Sequence, residues 1–271
     1  MSNFWQRLIT GTLFVAVIVG SILFSAVAFQ IIFLWVALLS LEEFYRLVKS
    51  DDRQPDSRIG WIAGATVYIL TAGIATWYLQ PKWSALIMPV MALVFFAELY
   101  RRKNFPFNNI AFTLLGIVYT VLPFAMLSQI ATSIGTGAWN SGVLLGYFIL
   151  IWSSDTFAYI FGNLFGKHRL FERISPKKSW EGSLGGAISS LGIAWILWKF
   201  NPDLALIHWM VISVIIVITG TLGDLTESML KRSLNIKDSG TILPGHGGFL
   251  DRFDALLLSA PFVWAYLKLI A

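Results

Sequence analysis

The chain contains no cysteine, which excludes disulfides, zinc knuckles and thiol nucleophiles together. Histidine is scarce as well, with three in 271 residues, so a metal centre would have to rest mainly on oxygen donors. Carboxylates as the available ligands favour Mg²⁺ over softer ions. Charge is equally sparse. Only 13% of the residues are Asp, Glu, Lys or Arg, where a soluble domain carries about 25%. With 56% of the chain hydrophobic, this composition places most of it in lipid. The net charge of +5 does not call for nucleic acid, because membrane proteins collect Lys and Arg in cytoplasmic loops to fix their orientation. No nucleic-acid partner is expected.

Apolar runs long enough to span a bilayer (about 17–25 residues) recur along the chain at 59–78, 83–100, 110–130, 141–161, 182–198, 206–223 and 255–270. The stretch 8–41 is too long for one span and slightly short for two. It reads as a tight helical hairpin turning near Gly20 and Ser21, its second helix running on through 42–48. The fold class is therefore an all-α polytopic membrane protein with about nine transmembrane helices. Arg7, an apolar run and Ala26-Val27-Ala28 mimic a secretory signal with its cleavage site. The apolar run resumes at Ile31, so no cleavage is expected.

Seventeen of the twenty Lys and Arg fall at the N-terminus and in alternate loops on one side, leaving Lys82, Lys199 and Lys268 opposite. That asymmetry predicts a cytoplasmic N-terminus and cytoplasmic charged loops. Trp77, Trp83, Trp139, Trp180 and Trp198 stand near segment ends, where an interfacial aromatic belt belongs. Pro89 and Pro123 lie inside spans and predict kinks there. Two regions follow from the character of the loops: residues 1–140 as a lipid-embedded scaffold, and 141–271 as a catalytic region with cytoplasmic loops at 166–181 and 224–254. Candidates for helix-packing surfaces include Gly64, Gly185 and Gly186, and a homodimer is one arrangement they allow.

The chemistry concentrates in residues 228–254, SMLKRSLNIKDSGTILPGHGGFLDRFD, with four Lys or Arg, three aspartates, one histidine and four glycines. Polyanion chemistry needs that mixture: cations for phosphate oxygens, aspartates for a hard cation, glycines for close backbone approach. Asp224, Glu227, Ser228 and Lys231 follow at i, i+3, i+4 and i+7, on one face if the helix continues past Gly223. That face suits a metal-bridged phosphate, or it is a solvated helix end with a Glu227–Lys231 pair. Asp251 and Asp254 open the last helix, where acids also serve as caps. Just before them, Gly247 and Gly248 let backbone N–H groups approach an anion. His246 either donates to a phosphate or holds the turn. Lys237, Asp238 and Arg252 flank the same turn.

Two upstream stretches add to this. Asp155 lies well inside an apolar run, where a carboxylate costs about 2.5–3.5 kcal/mol and faces a polar cavity or a partner. In GKHRLFERISPKKSWEG, Ser175 and Pro176 fit an N-cap and N1 pair that would put Lys177 and Lys178 in a first helical turn. Lysines are unfavourable there unless an anion sits at that end, although positive-inside anchoring also supplies them. Lys167, Ser175 and Ser179 belong to the same loop as further substrate-binding candidates. Glu181 either pairs with a lysine or reaches the metal.

Taken together, Ser228, Lys231, Arg232, Lys237, Asp238, Gly240, Leu243, Pro244, His246, Gly247, Gly248, Asp251, Arg252 and Asp254 resemble the C-terminal pattern of the phosphatidate cytidylyltransferases without a gap. SDTFAYIFGNLFGK and ISPKKSWEG are similar to that family too. The resemblance covers 155–254 firmly, and before that only in the run of apolar helices. It implies that CTP and phosphatidic acid react to give CDP-diacylglycerol and pyrophosphate, with Mg²⁺ required and room for a second cation such as K⁺. It also implies Asp224 and Asp251 as metal-holding and catalytic, with Asp155, Glu227 or Asp254 as further ligands. Lys237 and Asp238 join the catalytic set. Lys231, Arg232, Lys237 and Arg252 would neutralise phosphates, while Lys177 and Lys178 hold the lipid phosphate or the triphosphate tail. The expected setting is a bacterial inner membrane, among its lipids, with the site facing the cytoplasm.

Two other readings fit less of the sequence. A CDP-alcohol phosphotransferase would resemble D-G-x2-A-R with paired downstream aspartates, and no such string occurs. A transporter could bury Asp155 and Asp224 on an ion path, but gives no reason for a loop so rich in phosphate-type contacts.

Overall fold

The computed structural model describes residues 3–135, 137–236, 239–240 and 247–270, with side chains from residue 9 onward. Among the described residues it has nine helices and one short hairpin. In order these are α1 (Asn3–Phe24), α2 (Ala26–Val48), α3 (Ser57–Ala75), α4 (Pro81–Arg101), α5 (Pro106–Ala131) and α6 (Ser141–Phe165). The strands β1 (Arg169–Phe171) and β2 (Ser175–Ser179) come next, then α7 (Trp180–Phe200), α8 (Leu206–Ser233) and α9 (Leu250–Ile270). Among the described residues eight helices, α2 to α9, are long and apolar enough to cross a bilayer, and α1 contributes a shorter apolar stretch, Ile9–Phe24. The chain is an integral membrane protein. Its exposed large side chains, such as Leu13, Phe96, Ile188 and Ile218, form the surface that hydrocarbon covers.

The break between α1 and α2 falls at Ser25, not near Gly20 and Ser21 as the sequence suggested. Ser21 stays helical, its hydroxyl donating back to the Ile18 carbonyl at 2.7 Å. Ser25 is extended and its hydroxyl accepts from the Ala28 N–H at 3.0 Å, which is the N-cap arrangement. Irregular helical turns lie close to both prolines read as kink sites. In α4 a 3₁₀ turn at Pro81–Leu86 gives way to α-helix just before Pro89. In α5 a π turn spans Ile117–Val121, immediately before Pro123, whose ring and missing N–H upset the regular ladder.

The chain packs as two units: Met1–Gln129 with Asp238–Arg252, and Ile130–Lys237 with Phe253–Ala271. In the first, α2 is the central helix. Phe29, Phe33, Leu41, Phe44 and Tyr45 are fully or almost fully buried, together with Val67 and Tyr68 of α3 and Ile117, Val121 and Phe124 of α5. Glycine sets the spacing, since a Cβ at Gly116 would strike the Tyr45 ring and one at Gly64 would lie 3.1–3.2 Å from Leu41 and Val121. The Tyr45 hydroxyl donates to the Thr113 carbonyl at 2.7 Å. At one end of this unit Arg101 reaches Glu98 at 2.6 Å and Asp56 at 3.2 Å. Asn109 donates to Glu98 at 2.7 Å and accepts from the Gln54 N–H at 2.7 Å. Every charge buried there has a partner, as burial requires.

In the second unit α6 and α7 pack closely through small residues. A Cβ at Gly186 would come within 2.9 Å of the Ser154 carbonyl, and one at Gly182 within 2.7 Å of that of Ala158. Gly185 abuts the Phe161 ring. The glycines read as candidate packing surfaces are thus used inside the chain. Buried hydroxyl pairs join the remaining helices: Ser213 to Ser190 at 2.9 Å, and Tyr147 to Ser259 at 2.7 Å.

Two local expectations are corrected. Residues 175–179 form strand β2, antiparallel to β1, with Arg169 opposite Ser179 and Phe171 opposite Ser175. The helix begins only at Trp180 and its cap is Ser179, whose hydroxyl accepts from the Gly182 N–H at 3.2 Å. Pro176 is tolerated because a two-stranded ribbon is all edge. The segment 224–254 is also not loop throughout, since α8 continues to Ser233.

Candidate functional site

The extension of α8 beyond the apolar run brings the acids together. Its register places Asp224, Glu227, Ser228 and Lys231 on one face. The Ser228 hydroxyl donates to Asp224 at 3.3 Å, and the Lys231 ammonium lies 2.5 Å from Glu227. Both members of that ion pair are well buried, with side-chain exposures of 12% and 1%. Small residues then let α9 approach. A Cβ at Gly223 would stand 2.5 Å from the Asp254 carbonyl and 3.2 Å from the Ala255 Cα, and Gly220 faces Ala255 as well. That contact carries Asp254 to the acidic face. Ligand atoms of Asp224, Glu227 and Asp254 all lie within 4.8 Å of one another.

Strand β2 supplies a cation to the same place. The Lys178 ammonium is 2.5 Å from an Asp224 carboxylate oxygen and donates to the Thr221 carbonyl at 3.4 Å. Asp155, from the middle of α6, is within electrostatic reach of both Lys178 and Asp224, and Asp254 feels all three. Four acids from three helices thus converge with one lysine from the hairpin. Like charges at such spacing repel, and Lys178 and Lys231 supply counter-charge to Asp224 and Glu227. Three hard oxygen donors this close fit a divalent cation of the Mg²⁺ type.

Asp251 belongs to the first unit. There its Oδ2 accepts from the Ser239 N–H at 3.0 Å and the Gly248 N–H at 3.1 Å, and lies 2.8 Å from the Ser239 hydroxyl. Gly247 has φ +84°, a conformation glycine adopts freely. The segment is also held by Glu43 of α2, which accepts from the Phe249 N–H at 2.7 Å and contacts the Ser239 hydroxyl. Sequence reasoning passed over Glu43. The only hint was the doublet Glu42-Glu43 at the end of an apolar helix, where one acid has an i+4 partner in Arg46 and the other has none nearby in sequence.

Other candidates lie elsewhere. Lys177 is exposed on β2, and Ser175 lies opposite Phe171 in the ribbon. Ser179 is buried and serves the α7 cap. Lys167 is exposed at the foot of α6, its backbone N–H donating to Glu181 at 3.1 Å. Glu181 also accepts from the His168 N–H and lies 2.5 Å from His168 Nδ1. It ties down the loop, an alternative the sequence reading did not weigh. Arg232 is exposed and donates to the Ile236 carbonyl at 3.2 Å. Arg252 is exposed in the first turn of α9. Lys237, Asp238 and His246 lie outside the described residues.

A sequence model described as "Cytidylyltransferase family" matches residues 5–270. A phosphatidate cytidylyltransferase of Staphylococcus saprophyticus subsp. saprophyticus is 37% identical over 199 residues, 73% of this chain and 74% of that protein. One of Rickettsia bellii is 32% identical over 221 residues, 79% of this chain and 92% of the relative. One of Haemophilus influenzae is 46% identical over 125 residues, 44% of this chain and 43% of the relative.

Proposed function

Since the chain belongs to the cytidylyltransferase family, we propose that it is a phosphatidate cytidylyltransferase of phospholipid biosynthesis. It transfers CMP from CTP to phosphatidic acid, giving CDP-diacylglycerol and pyrophosphate. The observation that carries this reading is the meeting of Asp224, Glu227 and Asp254 with Lys178. One charged set, of both signs, sits at the end of helices that otherwise suit hydrocarbon. A lipid phosphate and a water-borne triphosphate need that placement.

In the reaction a phosphatidate oxygen attacks the α-phosphorus of CTP in line. The bond to the bridging oxygen breaks, and pyrophosphate leaves with that electron pair. Such transfer asks the protein for positioning and charge neutralisation more than covalent help. Lys178 stands ready to trade its Asp224 partner for a phosphate oxygen. The Lys231 ammonium, held at Glu227, adds a second fixed positive charge along the same helix face. Exposed Lys177, Arg232 and Arg252 are available to the triphosphate tail or the lipid headgroup. Asp224, Glu227 and Asp254 would hold Mg²⁺, with Asp155 beside them, and the family pattern gives Asp251 a part in the reaction as well. The ion supplies neutralisation of phosphate charge and polarises the phosphoryl oxygens. The number of acids leaves room for a second cation such as K⁺. The lysine and arginine asymmetry of the loops supports a site facing the cytoplasm, and the membrane proposed is a bacterial inner membrane.

The test is incorporation of radiolabelled CTP into lipid by purified protein in phosphatidate-containing vesicles. Asp224→Asn and Asp254→Asn are expected to lose about 10²–10³-fold in turnover while inserting and purifying normally. Turnover near that of the unmodified protein in either variant removes that residue from the site.

A further inference from the structure

We infer that Glu43, in the N-terminal scaffold helix α2, is a positioning residue for Asp251, acting through Ser239 and the backbone of Phe249. The inference rests on the reading above that Asp251 belongs to the reaction site.

Four observations carry it. Glu43 is 3% exposed, and a carboxylate so enclosed needs hydrogen-bond partners to offset its lost hydration. Its adjacent residue, Glu42, finds them locally in Arg46 and the Trp61 indole, both at 3.0 Å. Those of Glu43 are instead the Ser239 hydroxyl and the Phe249 N–H, about two hundred residues further along the chain.

Glycines make the approach possible. A Cβ on Gly248 would run into the Glu43 carboxylate, and one on Gly240 would lie 3.0 Å from it. The segment has no side chain at the two places where Glu43 enters it.

The Ser239 hydroxyl then links the two acids. It touches Glu43 on one side and lies 2.8 Å from Asp251 Oδ2 on the other, while the Ser239 and Gly248 N–H groups converge on the same oxygen. Asp251 is therefore oriented by a framework that itself leans on α2. Phe249 and Leu250, between the Gly248 and Asp251 contacts, are both buried, so the turn is anchored by packing as well as by polar contacts. An acid that orients another acid through a serine and two glycine-spaced N–H groups acts as a second layer behind a functional carboxylate. Such outer partners typically govern metal affinity or activity by about 10–100-fold.

The experiment compares Glu43→Ala, Glu43→Gln, Ser239→Ala and Asp251→Asn in the full-length protein. Four readouts are taken: CTP incorporation with its KM values, Mn²⁺ binding by loss of the free-ion spin-resonance signal, amide exchange at Phe249, and thermal midpoint. Positioning predicts that Glu43→Ala and Ser239→Ala lose roughly 10–100-fold in turnover or Mn²⁺ affinity, with the KM for phosphatidate within about twofold. Exchange at Phe249 rises in Glu43→Ala. Glu43→Gln, which keeps an acceptor for Phe249, restores most of the activity. The inference is overturned if folded Glu43→Ala matches the parent in turnover and Mn²⁺ binding while Asp251→Asn is inactive. It is also overturned if the only effect is a lower thermal midpoint. Full turnover in Asp251→Asn would instead remove Asp251 from the site, a failure of the underlying reading that the Phe249 exchange would distinguish.

Discussion

The ammonium of Lys178 lies 2.5 Å from Asp224, at the end of a β-strand that reaches α8 just where Asp224 meets Asp254. A lysine there holds a place in the acidic cluster that the proposed metal ion would also seek. Replacing it with methionine keeps the length and removes the charge. The half-saturating Mg²⁺ concentration is expected to fall, because the ion no longer competes with an ammonium. Turnover is expected to drop by about 10²-fold, because the phosphate contact proposed for Lys178 would be lost. A Mg²⁺ titration of CTP incorporation reads both, and weaker Mg²⁺ activation would refute the competition.

Asp254 shares its surroundings with Asp224, Glu227 and Asp155. Without divalent ions these like charges oppose one another. Asp254→Asn should therefore raise, or at least preserve, the thermal midpoint in chelator while abolishing activity. Differential scanning fluorimetry in detergent with EDTA checks the first part. A large loss of stability would mean that the aspartate is chiefly structural.

At Gly223 α8 lies close against α9. A methyl group at that position would lie 2.5 Å from the Asp254 carbonyl, so the helices must part or slide. Gly223→Ala should cost about 1–3 kcal/mol of stability. Because a shift near 1 Å in catalytic groups costs about 10²-fold, activity should fall further than the amount of folded protein does. Specific activity per folded molecule, measured after size exclusion, separates the two effects.

Arg101 serves a different purpose. It pairs with Glu98, whose side chain is 3% exposed, and with Asp56. Arg101→Ala strands a buried carboxylate, a change that costs about 3–5 kcal/mol. Yield and thermal midpoint should fall sharply. Arg101→Ala with Glu98→Gln should recover part of the loss, since the unpaired charge is gone.

Most of the helical order could be read directly, because an apolar run of fixed length is a local property. The misplaced turn between α1 and α2 shows the limit of that reading. Gly20 looked like a break, yet a lone glycine continues a helix when nothing caps it, and Ser25 had the cap. Ser175-Pro176 carried a valid helix-start signal that pairing with Phe171 overrode. The alignment of Asp224, Glu227, Ser228 and Lys231 was legible from spacing alone. The arrival of Lys178 at Asp224 and the hold of Glu43 on Phe249 were not, because both join segments far apart in the chain.

The length of α8 has a consequence of its own. Twenty-eight residues rise about 42 Å, against roughly 30 Å of hydrocarbon. A helix entering at Leu206 has used up the oily layer near Leu225, so Asp224 sits at its edge and the surplus turns bear Glu227 and Lys231. For an upright helix, bilayer thickness would set the depth of the site: a thin membrane would leave this stalk standing in the headgroups, and a thick one would draw its carboxylates toward the fatty chains. The lipids such an enzyme helps to make would then tune the depth at which it works.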